Sequence, residues 1–538
     1  MKWLKAFVIC FSILLLFVSY LVSCKSVGVS DEELTDYTSA VQMNNKELQT
    51  PSVSVLGNKI PIVNSPYQGS LKSWIVAPVL KIFGTSVYVN RFINFVLSVI
   101  YILCLYWAIK IIIGNNWAIL VFLIPILDTK FLLYSPYDFG PFLAQLIFIS
   151  LSLGGIFRYL KTRNIKWWYF SNFMIGAILA QKLTSFPLFF VLFLVNNFLY
   201  LKFRFGKWIR LKTFMEIILS IGSFLLLLLP SIYYFGKYGF TDFLVNSSSP
   251  EIITFWSFWH KLWSVFITFL AGFDGVFWAK GTTITTNISS IMVLFPYFSV
   301  FIILWEIRRF FLKKAVKIFP FILVLNILSF VAFTLIKGLT RSHHFFILGP
   351  LWMLLFFVSL KDFWLEYRKK WWCWISISIV VLGMIFNSGF MLWNIDTNKG
   401  AVLTSMAIYD LNKKLELLGA KKVYALNFSL SAPVYYLSNG QIKTVNLTWD
   451  SLDSKGLNKY ISEVVSKDDT YLIARKSDNY YWSKDWIDWL NRDKELSGLI
   501  NNPFNLGLKS ISIYDERGST FYIFSKCTLV EKNAKICR

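Results

Sequence analysis

The chain has 538 residues, 56% of them hydrophobic, and a mean hydropathy of +0.55. This composition excludes an ordinary soluble globular protein, because apolar runs of about 20 residues recur, each long enough to cross a bilayer. The net charge of +24 does not indicate a nucleic-acid partner. The basic residues cluster between the apolar runs, as they do in the cytoplasmic loops of membrane proteins.

The apolar runs predict eleven membrane-spanning helices. The first follows Lys2 and Lys5, and we interpret it as an uncleaved helix with its N-terminus inside, although Leu21-Val22-Ser23-Cys24 also resembles a lipoprotein cleavage site. Lysines and arginines fall in alternate loops on the side of the N-terminus, so the positive-inside rule places the intervening loops and the C-terminus outside. The predicted spans are residues 4–23, 88–113, 116–134, 139–158, 167–183, 185–201, 213–235, 286–306, 318–336, 345–360 and 371–394.

A polar external loop, residues 24–86, begins with the acidic stretch Asp31-Glu32-Glu33, closely followed by Asp36. An ionised carboxylate is costly to bury in hydrocarbon, so this stretch is expected at the interface or in an aqueous cavity. Carboxylates placed there are suited to acid–base chemistry, and the alternative is that they are merely solvated. Glu33 is expected to point elsewhere, so that its replacement costs little.

The predicted topology brings further polar residues to the same outer face. Imidazoles beside carboxylates bind a divalent cation or take part in acid–base chemistry, and basic residues beside them hold a phosphate. Each residue also has a simpler interpretation: a cap for the following helix, a lysine extended to the lipid headgroups, or amphipathic histidines at the interface. The residues are Lys72, Asp138, Lys182, Arg341, His343 and His344.

From about residue 395 the long apolar runs end. A helical pattern at 401–418 is followed by short strand patterns with helical stretches between them, and Asp515-Glu516-Arg517-Gly518 is typical of a hairpin turn. We therefore expect a transmembrane domain, residues 1–394, and an extracytoplasmic α/β domain with a partly parallel sheet, residues 395–538. Cys527 and Cys537 would be able to pair there if the compartment is oxidising.

These features resemble the GT-C superfamily of polyprenol-phosphate-sugar glycosyltransferases. Within it, the chain is most similar to bacterial relatives of the protein O-mannosyltransferases and of the aminoarabinose transferases. The resemblance covers residues 1–394 and lies in the order of the motifs. The motifs are Asp31-Glu32 after the first helix, Tyr67-Gln68-Gly69-Ser70-Leu71-Lys72 in the external loop, Lys81-Ile82-Phe83-Gly84 with Asn90-Arg91, Asp138-Phe139-Gly140-Pro141 as a variant of Asp-Trp-Gly-Pro, and His343-His344 before Pro350.

The resemblance implies a multi-pass enzyme of the cytoplasmic membrane that acts in glycosylation of the cell envelope. It would take a sugar from a polyprenyl-phosphate donor on the outer leaflet and transfer it, with inversion, to a hydroxyl of a protein, lipid or glycan. It implies Asp31 as the general base and Glu32 as its orienter or a metal ligand. The implied donor or phosphate contacts are Lys72, Asp138, Lys182 and Arg341, and the implied ligands of a divalent metal ion are His343 and His344 with Glu32 or Asp138.

Two other classes of protein stay open at this point. A transporter or lipid flippase would carry ionisable groups near the bilayer midplane and often shows repeated halves. Here the acids lie at the outer ends of spans and no clear repeat is present. A non-catalytic membrane scaffold or sensor would tolerate a conservative substitution of Asp31.

The predicted topology is testable by cysteine labelling. With the N-terminus inside and the C-terminal domain outside, Ser454→Cys should react with an impermeant thiol reagent added to intact cells, whereas Lys313→Cys should not. The opposite result, with only Lys313→Cys labelled, would refute the topology.

Overall fold

The computed structural model describes most of the chain. The described residues are 2–29, 31–48, 50–55, 58–65, 68–138, 140–204, 211–238, 255–271, 294–335, 345–398, 406–426, 430–447, 454–477, 508–514 and 519–526.

Helices dominate the first part of the described chain. In chain order they are α1 Lys2–Ser26, α2 Asp31–Asn44, α3 Leu71–Phe83, α4 Val87–Ile113, α5 Asn115–Ala118, α6 Ile124–Leu127, α7 Thr129–Tyr134, α8 Phe142–Thr162, α9 Ile165–Gln181, α10 Phe186–Arg204, α11 Leu211–Tyr238, α12 Phe255–Ala271, α13 Leu294–Phe311, α14 Phe319–Thr334, α15 Gly349–Tyr367 and α16 Trp371–Asn398.

Seven helices in the described ranges are long and apolar enough to cross a membrane, so the chain is a multi-pass membrane protein. Two predictions about the spans were wrong in detail. Residues 116–134 form short consecutive helices instead of one span, because Pro125 cannot continue a helix and Asp128 caps the next one through the N–H groups of Lys130 and Phe131. The presumed loop 236–285 contains the apolar helix α12, which packs through Phe266 and Phe269 against α14 and α15.

The loop that the sequence predicts to be external, residues 24–86, contains helices and hairpins in its described parts. After α2 come two antiparallel hairpins, of β1 Ser52–Val55 with β2 Asn58–Pro61 and of β3 Val63–Ser65 with β4 Gln68–Gly69. Helix α3 follows and packs on α2. Gly69 lies so close to α9 that a Cβ atom there would be 1.7 Å from the carbonyl oxygen of Ala180. The loop is thus fixed against the ends of the membrane helices.

The C-terminal part forms the expected mixed sheet. Its helices are α17 Ala407–Leu417, α18 Ser431–Leu437 and α19 Ser454–Ser466, and its strands are β5 Lys422–Ala425, β6 Lys443–Asn446, β7 Thr470–Ser477, β8 Leu508–Tyr514 and β9 Ser519–Lys526. The strand order is β6-β5-β7-β9-β8; β5 pairs in parallel with β6 and β7, and β9 pairs antiparallel with β7 and β8. Apolar side chains from this sheet join the same core as the membrane helices, and α18 packs on α2.

Close packing of α9 on α11 depends on a glycine. A Cβ atom at Gly176 would lie 2.4 Å from the backbone carbonyl oxygen of Phe224, whereas nothing lies within 4 Å of a Cβ at Gly222. We expect Gly176→Ala to separate the two helices and to lower the midpoint of thermal unfolding in detergent by several degrees. Gly222→Ala is the matched control and should leave the midpoint unchanged or raise it. Equal midpoints for the two variants would contradict the packing argument.

Candidate active site at the ends of the membrane helices

A buried ion pair joins the external loop to α4. The guanidinium of Arg91 contacts both oxygens of Glu33, through Nε at 3.0 Å and Nη2 at 3.2 Å, and Asn90 Nδ2 donates to the same carboxylate at 2.9 Å. Arg91 also donates to the carbonyl oxygens of Ser23, Val27 and Gly28 at the end of α1. Burial raises the pKa of Glu33, and the charge of Arg91 opposes that shift. This pair locks α1, α2 and α4 together.

Asp36 lies one helical turn after Glu33 and is also fully buried. Its oxygens accept hydrogen bonds from Asn64 at 2.7 Å, Gln68 at 3.0 Å and Ser73 at 3.2 Å. Burial raises its pKa to about 6, partly opposed by the charge of Lys72. Asp36 therefore fixes the second hairpin and the start of α3 against α2.

Lys72 is the central cation of the site, with 1% of its surface exposed. Its ammonium donates to Asp138 Oδ2 at 2.6 Å and to Asn94 Oδ1 at 3.3 Å, and it lies 4.4 Å from the centre of the Tyr37 ring. The Tyr37 hydroxyl contacts the same Asn94 oxygen, and Asn94 Nδ2 donates to the carbonyl of Pro136. A buried ammonium is costly without partners, and these contacts supply them.

Asp138 and Gly140 each contact a lysine, Lys72 and Lys182 respectively. Asp138 adopts a positive φ of 45°, which is uncommon for a residue with a side chain, and its Oδ1 accepts the N–H of Leu143 at 2.7 Å. Asp138 thus caps α8 and pairs with Lys72 at once. The Lys182 ammonium donates to the carbonyl of Gly140 at 3.2 Å, and a Cβ atom at Gly140 would lie 2.5 Å from that ammonium. Backbone strain of this kind tends to occur at functional sites.

Three of the predicted site residues come together in the structure: Lys72, Asp138 and Lys182. Asp31 and Glu32 begin α2 beside this cluster, but their side chains lie outside the described residues, as does the whole segment that carries Arg341, His343 and His344. The expectation that Glu33 is dispensable was wrong, since it is 1% exposed and paired with Arg91.

Sequence reasoning missed the residues that hold the cluster. Those on α4 were recognisable from the sequence, because polar side chains at the start of an apolar helix are rare unless they face a partner or a cavity. Glu33, Asp36 and Tyr37 also share a helical spacing that places them towards one side of α2. The residues missed altogether are Tyr37, Asn64, Ser73 and Asn94, whereas Asn90 and Arg91 were noted as a motif without a predicted role.

The described residues do not form a metal centre. No group of three His, Cys, Asp or Glu side chains suited to a metal ion occurs within the described ranges. Both oxygens of Asp138 are already occupied, by Lys72 and by the N–H of Leu143. A divalent cation stays a prediction that depends on His343 and His344 with Glu32 or Asp138.

The importance of the Glu33–Arg91 pair can be measured by comparing it with an exposed pair. Glu33→Gln leaves the guanidinium buried without its counter-charge, and breaking such a pair costs about 3–5 kcal/mol. We expect a clearly lower thermal midpoint in detergent. Lys421 and Asp469 form a surface ion pair at 3.8 Å, in which the lysine side chain is 79% exposed. Lys421→Gln removes this pair and should change the thermal midpoint little. Similar effects of the two substitutions would show that the buried pair does not lock the loop.

Comparisons with known proteins bear on the fold and on the family. Residues 68–234 match the family model of dolichyl-phosphate-mannose-protein mannosyltransferases. The crystal structure of ArnT from Cupriavidus metallidurans bound to undecaprenyl phosphate is similar over 96% of this chain and 97% of that chain, with a TM-score of 0.53 and 10% identity. The oligosaccharyltransferase of Archaeoglobus fulgidus is matched over 95% of this chain and 73% of that chain, with a TM-score of 0.48 and 13% identity. No curated protein matches the sequence.

At 10% identity, the likeness to ArnT establishes the fold, which consists of membrane helices followed by a sheet-containing domain. The family match is a sequence match, and the segment it covers contains Lys72, Asp138 and Lys182. Together, the two findings show a membrane protein with the fold of ArnT that is similar, over residues 68–234, to a family of membrane glycosyltransferases. In sequence over residues 68–234, and in fold over nearly its whole length, the chain resembles the GT-C superfamily of polyprenol-phosphate-dependent glycosyltransferases, as its motifs predicted.

Proposed function

We propose that the protein transfers a sugar from a polyprenyl-phosphate donor to an acceptor hydroxyl at the outer face of the cytoplasmic membrane. The observation that carries this proposal is the buried Lys72, held by Asp138 and Asn94 at the ends of the membrane helices. A cation is seldom kept in such a place for stability alone, so its burial favours a role in binding. The phosphate of a polyprenyl lipid is an anion that lies at the membrane surface, and Lys72 lies where the membrane helices end.

Lys72 and Lys182 are the proposed phosphate contacts. Lys72 donates to the carboxylate of Asp138, and Lys182 donates to the carbonyl of Gly140. An entering phosphate would share these donors with Asp138 and Gly140, and charge-assisted hydrogen bonds to phosphate are among the strongest available. Asp138 then orients Lys72, and Arg341 is a further proposed contact by its position before a late membrane helix.

Asp31 is the proposed general base, with Glu32 as its orienter. Two other carboxylates of α2 are engaged elsewhere: Glu33 by Arg91 and Asn90, and Asp36 by three side-chain donors. Both are fully buried and already accept three hydrogen bonds each, so they are poorly placed to take a proton from an acceptor. The first turn of α2, with Asp31 and Glu32, is anchored beside the lysine cluster by these same contacts.

The reaction follows from these roles. The acceptor hydroxyl gives its proton to the Asp31 carboxylate while its oxygen attacks the anomeric carbon of the sugar. The bond from that carbon to the phosphate oxygen breaks on the opposite side, which inverts the configuration, and the polyprenyl phosphate leaves with the bonding electron pair. Lys72 and Lys182 stabilise the charge that develops on the leaving phosphate. These roles are written without a metal ion, and a divalent cation held by His343 and His344 with Glu32 or Asp138 stays a separate hypothesis.

The acceptor enters from the aqueous side in this scheme. A protein, lipid or glycan hydroxyl fits equally, because the roles assigned to the residues of α2 and α3 do not depend on the rest of the acceptor. Action on the outer side is supported by the positive-inside argument, which places α2, α3 and the sheet there. In that compartment nucleotide sugars are absent, which favours a lipid-linked donor.

The test is sugar transfer by the purified full-length protein in reconstituted membranes, with a panel of labelled polyprenyl-phosphate sugars. Asp31→Asn keeps the size of the side chain and removes its basicity, so we expect a loss of about 10²–10⁴-fold in turnover with donor binding largely retained. Lys72→Met should instead weaken binding of undecaprenyl phosphate.

Asp410→Asn is the matched control, because Asp410 is an exposed carboxylate of α17 to which no site role is assigned. Turnover at the wild-type rate by Asp31→Asn would refute the assignment of the base. If Glu32→Gln showed no turnover while Asp31→Asn stayed active, the general base would be Glu32 instead of Asp31. Absence of both transfer and binding of undecaprenyl phosphate in the wild type would refute the function itself.

A further inference from the structure

Tyr436 is a fully buried residue of the C-terminal sheet domain that contacts the site. It lies on α18, and its ring is 6.1 Å from the ring of Tyr37, centre to centre, at an angle of 73°. Edge-to-face aromatic pairs of this geometry are favourable beyond the apolar area that they bury. The Tyr436 hydroxyl donates to the backbone carbonyl of Ser86 at 3.1 Å. One side chain of the distant domain therefore contacts both α2 and the start of α4.

Both contact points lead directly to Lys72. The Tyr37 ring contacts both Tyr436 and the Lys72 ammonium, which is 4.4 Å from the ring centre, and the Tyr37 hydroxyl contacts Asn94. Ser86 caps α4, the helix on which Asn94 accepts a hydrogen bond from Lys72. A shift of either element would move a partner of the lysine.

The contacts around Tyr436 show that α18 and the turn after it dock closely on α2. Asn45 Nδ2 donates to the carbonyl of Asn439 at 3.2 Å. Gly440 has a φ of +77°, and a Cβ atom there would lie 2.5 Å from Asn45 Nδ2. Only glycine fits this position without strain. The ion pair of Lys443 with Glu47 at 3.4 Å is mostly exposed and contributes little.

We infer that the C-terminal sheet domain is part of the active-site structure, and that Tyr436 is a positioning residue for the donor phosphate. It acts through Tyr37 and Ser86, which set the place of Lys72. This inference rests on the proposed role of Lys72 as a phosphate contact. A sheet domain that served only to bind the acceptor would have no need of a buried side chain against Tyr37.

The test compares three variants of the full-length protein in nanodiscs. Tyr436→Leu removes the aromatic contact and the hydroxyl, Tyr436→Phe restores the ring, and Tyr514→Leu changes an exposed tyrosine of the same sheet domain. The probes are binding of undecaprenyl phosphate, turnover with the KM for donor and acceptor, and hydrogen exchange of the α2 amides. Small displacements of a binding group cost up to about 10²-fold.

We expect Tyr436→Leu to weaken undecaprenyl phosphate binding and raise the donor KM by about tenfold or more, with the acceptor KM unchanged and faster amide exchange in α2. Tyr436→Phe should recover most of the binding, within about threefold of the wild type, because it restores the aromatic contact. Tyr514→Leu should behave as the wild type. If Tyr436→Leu does not fold, Gly440→Ala disturbs the same docking and should give the same pattern.

Unchanged phosphate binding together with unchanged α2 exchange would overturn the inference. A rise in the acceptor KM alone would overturn it too, and would assign the sheet domain to acceptor binding. If the wild type itself bound no undecaprenyl phosphate, the proposed function would fail, whereas the α2 exchange rates would still decide whether Tyr436 holds the helix.

Discussion

Two cations buried at one end of the helix bundle, Arg91 and Lys72, determine how that end is built. A charge removed from water is destabilising unless a counter-charge and hydrogen bonds replace the lost hydration. Arg91, itself on α4, takes its partners from the end of α1 and from α2, and Lys72 takes its partners from α2, α4 and Asp138 before α8. The elements that supply these partners are therefore fixed relative to one another.

The two cations differ in what they leave free for a ligand. The guanidinium of Arg91 donates to the Glu33 carboxylate and to three backbone carbonyls, so its role is structural. Lys72 has one carboxylate, one amide oxygen and the face of an aromatic ring. The ammonium of a lysine is a compact charge with rotatable donors, so it exchanges hydrogen-bond partners more readily than the rigid, planar guanidinium of an arginine. This contrast favours Lys72 over Arg91 as the cation that meets a lipid phosphate.

The sequence predicted the outline of the site because its lysines and Asp138 interrupt apolar patterns where helices end. It did not predict the Glu33–Arg91 pair, since nothing local relates two residues 58 positions apart. Pro125 indicates that residues 116–134 do not form one continuous helix, but the high hydropathy of the surrounding residues led to the prediction of a single span. In the sheet, β5, β6 and β7 were expected from their patterns and confirmed, whereas the strand order depends on contacts between distant segments that no local pattern encodes.

The position of α2 explains why the sheet domain matters to the chemistry at the membrane. A helix of 14 residues is too short to be stable alone in water, and α2 has an acidic first turn rather than an apolar one. Its place is set by Arg91 on one side, by the hydrogen bonds of Asp36 to the second hairpin, and by Tyr436 from the sheet. Each of these partners belongs to a different part of the chain. The carboxylates at the start of α2 therefore reach their position only when the membrane helices, the external loop and the C-terminal sheet are all assembled, and a lone fragment of the chain would not hold them there.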